Sequence, residues 1–257
     1  MRTSRFAMAL VLVVAGAAAL YAKKKHDNWL DEEFTKWNAQ QVRTILDKSA
    51  WSQTKDFRGQ VTGAHGTVTD VGGHTSRGTL GTGGGTTGTD VPNYEFTVTF
   101  FSALPVREAY VRLFQLENNY DSLPAAKQQE FDQKMDGLLH ADVSQEVAIN
   151  LKYQISDPIA RRDVDQWFNT QTTDTLSQNA YLYTNAGQVI LSKYLPPSET
   201  HGFGARFIFP RLFKGEPILP AAGGKLRFQL SYQPQIGQAM YIDFKPEDMM
   251  YQGQLSY

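Results

Sequence analysis

Apolar and polar residues alternate with a period of two through much of the chain. In the clearest run, from Glu146 to Ile155, every second position is apolar. This period is typical of a β-strand with one buried and one solvated face, because successive side chains point to opposite faces. Shorter runs lie at 94–100, 181–184, 189–195, 203–210, 226–232, 240–245 and 251–257. The pattern predicts about eight strands, and their solvated faces favour antiparallel pairing.

Helical spacing of apolar residues occurs in three segments. Residues 29–48 carry an apolar stripe with acidic and basic residues between its members, which predicts one amphipathic helix of about 20 residues. Two further stripes lie near 105–140 and begin after Pro105 and Pro124, residues that favour a first helical turn. The chain is therefore predicted to be mainly β: an antiparallel β-sandwich of about eight strands with a helical-hairpin insertion and an N-terminal amphipathic helix.

The stretch from Gly59 to Asp90 differs from the rest of the chain in composition. It holds 11 of the 21 glycines, mixed with threonine. Such a stretch buries too little apolar surface to offset its ordering entropy, so it is predicted to be a flexible linker or loop. The predicted organisation is a targeting segment at 1–22, an amphipathic helix segment at 23–56, the linker at 57–92 and a β-sandwich domain at 93–257.

The first residues have the layout of an export signal. Arg2 and Arg5 precede an uncharged apolar run, and three lysines follow it at 23–25. A basic start, a short apolar stretch and a terminal small residue are typical of a secretory signal peptide, with cleavage after Ala22 or Ala19. Residues 6–22 also reach the lower length of a membrane anchor, so an uncleaved tether stays open. We expect a periplasmic or extracellular protein, free or tethered to the inner membrane.

Composition excludes several kinds of chemistry. The chain has no cysteine, so disulfides, cysteine nucleophiles and cysteine-ligated metals are absent. Its formal net charge is −1, which gives no electrostatic case for nucleic acid. The five histidines show no metal-ligand spacing. We therefore predict no metal, no cofactor and no nucleic-acid partner, and contact with a membrane only through residues 6–22.

Two groups of residues are candidates for a site. Tyr181 and Tyr183 share one face of a predicted strand and could form an adhesive pair. Asp163 and Asp165 lie close to Trp167, and a glycoside hydrolase requires two carboxylates, with an aromatic ring to hold a sugar. Trp167 is also a candidate binding residue. No sequence motif for a nucleophile accompanies either group.

These observations favour an exported, non-catalytic envelope protein that serves as a binding or assembly module for an unknown protein or glycan. The apolar stripe of the first predicted helix either contacts the partner or packs on the protein's own sandwich. A carboxylate-dependent hydrolase acting on an extracellular or envelope glycan is the alternative, with Asp163 and Asp165 as its acids. A small outer-membrane β-barrel is a second alternative, because the chain alternates up to a terminal aromatic residue, Tyr257.

The export prediction is tested by the intact mass of the protein recovered from a Gram-negative host. A mass that corresponds to a start after Ala22 or Ala19 is expected for a cleaved signal, and a full-length product in the membrane fraction for an anchor. A soluble cytoplasmic product that retains Arg2 would contradict both.

Overall fold

The computed structural model describes residues 28–58, 92–219, 223–231 and 239–257. The predicted export segment at 1–22 and nearly all of the predicted linker at 57–92 lie outside the described residues. Among the described helices, none combines the length and apolarity needed to cross a bilayer.

The described residues form five α-helices and thirteen strands. The helices are α1 Ala39–Asp47, α2 Leu104–Glu117, α3 Ala125–Leu139, α4 Pro158–Thr170 and α5 Thr173–Leu176. The longer strands are β1 Ser52–Arg58, β2 Asn93–Phe100, β3 Glu146–Ile155, β4 Ala180–Thr184, β5 Gly187–Ile190, β6 Lys193–Leu195, β7 Ala205–Pro210, β10 Leu226–Leu230 and β11 Met240–Phe244. Two-residue strands complete the set: β8 Leu212–Phe213, β9 Glu216–Pro217, β12 Met250–Tyr251 and β13 Gln254–Leu255.

Two sheets contain the longer strands. The first sheet has the order β1-β2-β3-β7-β6 and the second sheet the order β11-β10-β4-β5. Every pairing described within them is antiparallel, which confirms that prediction. Helices account for 38% and strands for 32% of the described residues. The helical content is therefore larger than expected for the mainly β chain that the sequence predicts.

Aromatic side chains of the two sheets contact each other in the hydrophobic core. Phe207 of the first sheet meets Phe228 of the second with ring centroids 5.2 Å apart. Phe100 and Phe244 make a second contact between the sheets, at 4.8 Å and nearly perpendicular. All four side chains are buried. Edge-to-face pairs add about 0.5 to 1.5 kcal/mol each to the burial of the rings, so these contacts hold the sheets together.

The opposite face of the first sheet is polar and lies beneath α1 and α2. Ser52 donates a hydrogen bond to Thr99 at 3.1 Å, and Thr99 donates to the Leu46 carbonyl of α1 at 3.4 Å. Farther along, Arg206 donates to Asn150 at 2.8 Å and lies 3.9 Å from the ring centroid of Phe101. Buried polar groups are costly without partners, and the Ser52, Thr99 and Arg206 donors find theirs within the protein. The Asn150 amide nitrogen is buried without a partner among the described residues.

The amino-terminal helix is shorter than predicted. α1 has nine residues and begins after Asn38, whose side chain accepts hydrogen bonds from the Gln40 and Gln41 amides. This capping box starts the helix at Ala39. Trp37, the residue before Asn38, has an extended backbone, so the helix does not continue upstream. Upstream, Asn28–Asp31 and Phe34–Lys36 form 3-10 turns.

The apolar stripe of this segment is packed on the protein itself. Trp37, Val42 and Ile45 are buried, and Leu30 and Phe34 are partly buried against the same core. Trp37 contacts Tyr251 with ring centroids 6.5 Å apart. Of the two predicted roles, packing on its own chain is therefore correct.

Several strands differ from their predicted forms. β1 is not predicted by the sequence pattern, and it pairs with β2 along its full length. A two-residue turn joins β4 to β5, since Thr184 pairs with Gly187. Gly187 has a φ of +124°, which favours glycine there. The predicted strand at 251–257 is the short hairpin β12–β13, with Gln252 and Gly253 in its turn.

The β12–β13 hairpin closes the core beside the first sheet. Trp51 donates its indole hydrogen to the Ser256 carbonyl at 2.8 Å, and its ring lies 6.3 Å from that of Tyr251. The Leu104 amide, at the start of α2, donates to the Ser256 hydroxyl at 3.0 Å. The hairpin therefore joins the segment before β1 to the first turn of α2.

Helix α2 carries a carboxyl group into this region. Glu108 is buried and accepts a hydrogen bond of 2.5 Å from the Tyr251 hydroxyl. Burial raises the pKa of Glu108 above its usual value of 4.5, and the Tyr251 hydrogen bond and the charge of Arg107 only partly oppose this. The protein therefore binds the Glu108 proton more tightly when folded than when unfolded.

Phe228→Ala should lower the free energy of unfolding by about 3 to 5 kcal/mol, because it leaves a cavity between the two sheets. Urea denaturation measures this change. Lys225→Ala, at an exposed position just before the same strand, should change it by less than about 0.5 kcal/mol. Equal effects of the two substitutions would contradict the described contact between the sheets.

The buried carboxyl of Glu108 predicts a pH-dependent stability. An acid with a raised folded-state pKa contributes stability that is present below its unfolded pKa and is lost as the pH rises through the folded value. Glu108→Gln keeps an acceptor for Tyr251 and removes this loss. We expect Glu108→Gln to be more stable than the unsubstituted protein at pH 7 and about equally stable at pH 4, as measured by urea denaturation.

Glu146→Gln, at an exposed position, is the control for the removal of one negative charge. A Glu108→Gln protein that is less stable than the unsubstituted protein at pH 7 would show that the ionised carboxylate stabilises the fold.

Candidate functional site

The two tyrosines predicted as a binding pair lie on the outer face of the second sheet. Tyr181 and Tyr183 are two positions apart on β4, so both side chains point away from the core. Their ring centroids are 6.0 Å apart, and both rings are partly exposed. The Tyr181 hydroxyl donates to the Gln178 carbonyl, which fixes the ring against the start of the strand.

Strand pairing extends this pair into a row across the sheet. Tyr181 is opposite Ile190 of β5 on one side and Gln229 of β10 on the other. Gln229 is in turn opposite Tyr241 of β11. Ile190 is 57% exposed and Tyr241 is 41% exposed, which places both among the four large hydrophobic side chains exposed in the described part of the chain. The row thus presents apolar surface at both of its ends.

A second row runs parallel to the first. Tyr183 is opposite Gln188 and Arg227, and Arg227 is opposite Asp243. The Arg227 guanidinium donates two hydrogen bonds to the Asp243 carboxylate, at 2.6 and 2.9 Å, and these lower the pKa of Asp243 below its usual range. The guanidinium also lies 5.5 Å from the ring centroid of Tyr241. The charges of this row are therefore neutralised within the sheet.

We name these two rows the tyrosine face: Tyr181, Tyr183, Gln188, Ile190, Arg227, Gln229, Tyr241 and Asp243. Four adjacent strands span about 14 Å at about 4.8 Å between neighbours, so the surface is small and nearly flat. Tyrosine and arginine are enriched at protein interfaces, whereas lysine and glutamate are depleted there. The tyrosine face contains three tyrosines and one arginine, and its single aspartate, Asp243, is paired with that arginine, which is the chemistry of a binding surface.

The predicted acids lie elsewhere, on α4. Asp165 accepts a hydrogen bond of 2.6 Å from the Tyr153 hydroxyl of β3, which holds α4 against the first sheet. Burial raises the pKa of Tyr153, and the same hydrogen bond adds to the effect. The side chain of Asp163 is 52% exposed, and its contact with Arg162, at 3.9 Å, is long. One carboxylate thus links two elements and the other is largely solvated.

Trp167 is partly buried on the same helix. Its ring lies 4.8 Å from that of Phe168 and nearly perpendicular to it. Two cavities among the described residues are lined by other side chains, so neither of them brings Trp167 together with Asp163 and Asp165. Trp167 also lies outside the rows of the tyrosine face. Of the three predicted binding residues, the structure brings only Tyr181 and Tyr183 together.

Sequence reasoning missed Ile190 and Tyr241 as neighbours of the tyrosines. The alternation in 240–245 did place Tyr241 on the solvated side of its strand. The order of the strands brings it close to Tyr181, and that order depends on the pairing of β10 with both β4 and β11. Local periodicity contains no information on such pairing.

No family model, no curated protein and no solved structure matches the chain. Its candidate site is therefore defined by the geometry of the tyrosine face.

Proposed function

We propose that the protein is an exported, non-catalytic binding or assembly module that holds a partner protein on its tyrosine face. The observation that carries this proposal is the row from Ile190 through Tyr181 and Gln229 to Tyr241, which exposes apolar and aromatic surface on a regular sheet. Contiguous exposed apolar surface with a polar surround is a mark of interaction sites.

The composition of the tyrosine face favours a protein over a glycan. Ile190 is the most exposed member of the row, and its aliphatic side chain offers neither a hydrogen-bonding group nor a flat ring for a sugar. Arg227 and Asp243 already bind each other, so they do not supply unpaired charge to hydroxyl groups. Rigid aromatic rings beside an ordered arginine are typical of the residues that carry most of the binding energy in protein complexes.

The size of the tyrosine face defines its role within a larger contact. Stable complexes bury about 800 Å² on each partner, which exceeds what two rows on four short strands provide. We infer that the face is the central, energetically dominant part of the interface and that neighbouring loops form the rim. A contact restricted to the face would be weak and transient.

We also infer that the two sheets form one β-sandwich, into which the helices between β2 and β3 are inserted. Support comes from the contacts of Phe207 with Phe228 and of Phe100 with Phe244. Such a scaffold suits a binding module, because a rigid sheet holds its outward side chains in fixed positions and reduces the entropy lost on binding. Export rests on the charge and apolar pattern of residues 1–22, and it places the partner in the periplasm or outside the cell.

Site-specific photo-cross-linking in the native host tests the proposal. A benzophenone amino acid is placed at Ile190 or at Tyr241, the two exposed ends of the row. The matched control position is Ile159 of α4, which is 64% exposed and lies outside the tyrosine face. We expect the two test positions to give an adduct with the same protein and the control position to give none.

A substitution within the row then tests its contribution. Tyr181→Ser should reduce the yield of the Ile190 adduct at least 10-fold, since interface residues of this kind contribute about 2 kcal/mol or more. The free energy of unfolding should change by less than about 1 kcal/mol, as for other exposed cross-strand pairs. Ile159→Ser is the control for loss of an exposed apolar side chain. Adducts from Ile159 alone, or an undiminished yield with Tyr181→Ser, would refute the proposal.

A further inference from the structure

A second surface feature lies on the opposite side of the first sheet, between that sheet and helices α1 and α2. It is a cavity of about 300 Å³. Side chains from both helices line it, together with residues of β2 and β3. Its volume is at the lower end of the range for small-molecule sites, and it has room for about ten water molecules or a ligand of on the order of ten non-hydrogen atoms.

Two basic and two acidic side chains face this cavity: Arg43, Asp47, Glu117 and Lys152. Among the described residues, none of the four lies within 4.0 Å of an opposite charge. This contrasts with the surface of α3, where Glu130 binds both Lys127 and Lys134 at 2.9 and 2.8 Å. The four charged side chains around the cavity thus form no ion pair with one another.

Lys152 lies at the floor of the cavity. Its side chain is partly buried, and its ammonium group is 4.9 Å from the ring centroid of Tyr110, a buried residue of α2. Thr97, its partner across the β2–β3 pairing, also lines the cavity. Burial lowers the pKa of Lys152, and the charges of Asp47 and Glu117 oppose this from farther away. An ammonium group in this position gains from a carboxylate placed directly on it.

The other three charged side chains form the rim. Arg43, Asp47 and Glu117 are exposed, so water solvates them in the free protein. Asp47 is nevertheless partly desolvated, which raises the pKa of its carboxyl, while the charges of Lys152 and Arg43 lower it.

We propose that this cavity binds a small zwitterion of the size of a free α-amino acid. The ligand's carboxylate binds the Lys152 ammonium at the floor, with Arg43 beside it. The ligand's ammonium group binds Asp47 and Glu117 at the rim. No covalent step is involved.

The balance of charges selects this class of ligand. A simple anion that reaches Lys152 meets the repulsion of Asp47 and Glu117, and a simple cation that reaches those acids meets Lys152 and Arg43. A zwitterion satisfies both pairs at once, so specificity comes from repulsion of the wrong ligands as well as attraction of the right one. The site is separate from the tyrosine face and does not depend on the function proposed for it.

Calorimetric titration of the full-length protein with the twenty free amino acids tests the proposal. We expect saturable binding of at least one of them with a Kd below about 1 mM. The N-acetyl derivative and the methyl ester of the same amino acid, which lack one charge each, should bind at least 10-fold more weakly. Absence of binding by all twenty, or equal binding of either derivative, would overturn the proposal.

Substitutions at the floor and the rim locate the binding. Lys152→Met and Asp47→Asn should each weaken binding at least 10-fold. Lys193→Met and Asp56→Asn, at exposed positions outside the cavity, are matched controls and should leave the Kd unchanged. If Lys152→Met fails to fold, Arg43→Gln at the exposed rim replaces it, with a weaker affinity again expected. Unchanged affinity in the cavity variants would show that any binding occurs elsewhere.

A measurement on the unsubstituted protein gives an independent readout. The amine of Lys152 is labelled by reductive methylation, and its extent is followed by peptide mass spectrometry. A saturating amino acid should slow labelling of Lys152 at least fivefold and leave that of Lys193 unchanged. Equal labelling rates with and without the ligand would contradict contact with Lys152.

Discussion

The structure depends on helix α2, which is buried around most of its circumference. The polar side chains of this helix must therefore find hydrogen-bond partners within the protein. Arg107, Glu108, Arg112 and Gln115 of α2 are all buried. The Arg112 guanidinium donates to the Trp37 carbonyl at 3.0 Å and makes two hydrogen bonds with Asp121 after the helix, at 3.0 and 2.9 Å. Arg107 donates to the Leu139 and Ala141 carbonyls at the end of α3. These partners belong to different segments, so the hydrogen bonds of α2 fix the positions of its neighbours.

The burial of each element determines whether it could be predicted from the sequence. β2, β3, β10 and β11 each bury one apolar face, and their period of two identifies them directly. β1 has no such pattern, because this edge strand exposes or pairs polar side chains along most of its length. The amino-terminal helix was predicted too long because its apolar stripe continues upstream of Asn38 through 3-10 turns. An apolar stripe indicates which residues are buried, whereas the N-cap residue determines where the helix begins.

The two surfaces differ in how far the sequence could reveal them. Tyr181 and Tyr183 are neighbours on one strand, so their shared face follows from local spacing. Tyr241 joins them only through the strand order of the sheet. The cavity draws on α1, β2, α2 and β3, and no spacing along the chain relates Asp47 to Lys152. The tyrosine face belongs to the second sheet, whereas the cavity lies on β2 and β3 of the first.

The bond between the Trp51 indole and the Ser256 carbonyl joins residues 205 positions apart. Loop closure over that distance has to be completed before the buried contacts of Trp51 and Tyr251 begin to stabilise the fold. Proteins rich in such non-local contacts fold slowly, over milliseconds to seconds, and form their cores late. The aromatic side chains of Trp51 and Tyr251 are therefore unprotected until this contact forms, and during that period chaperones and proteases compete with folding for the same polypeptide.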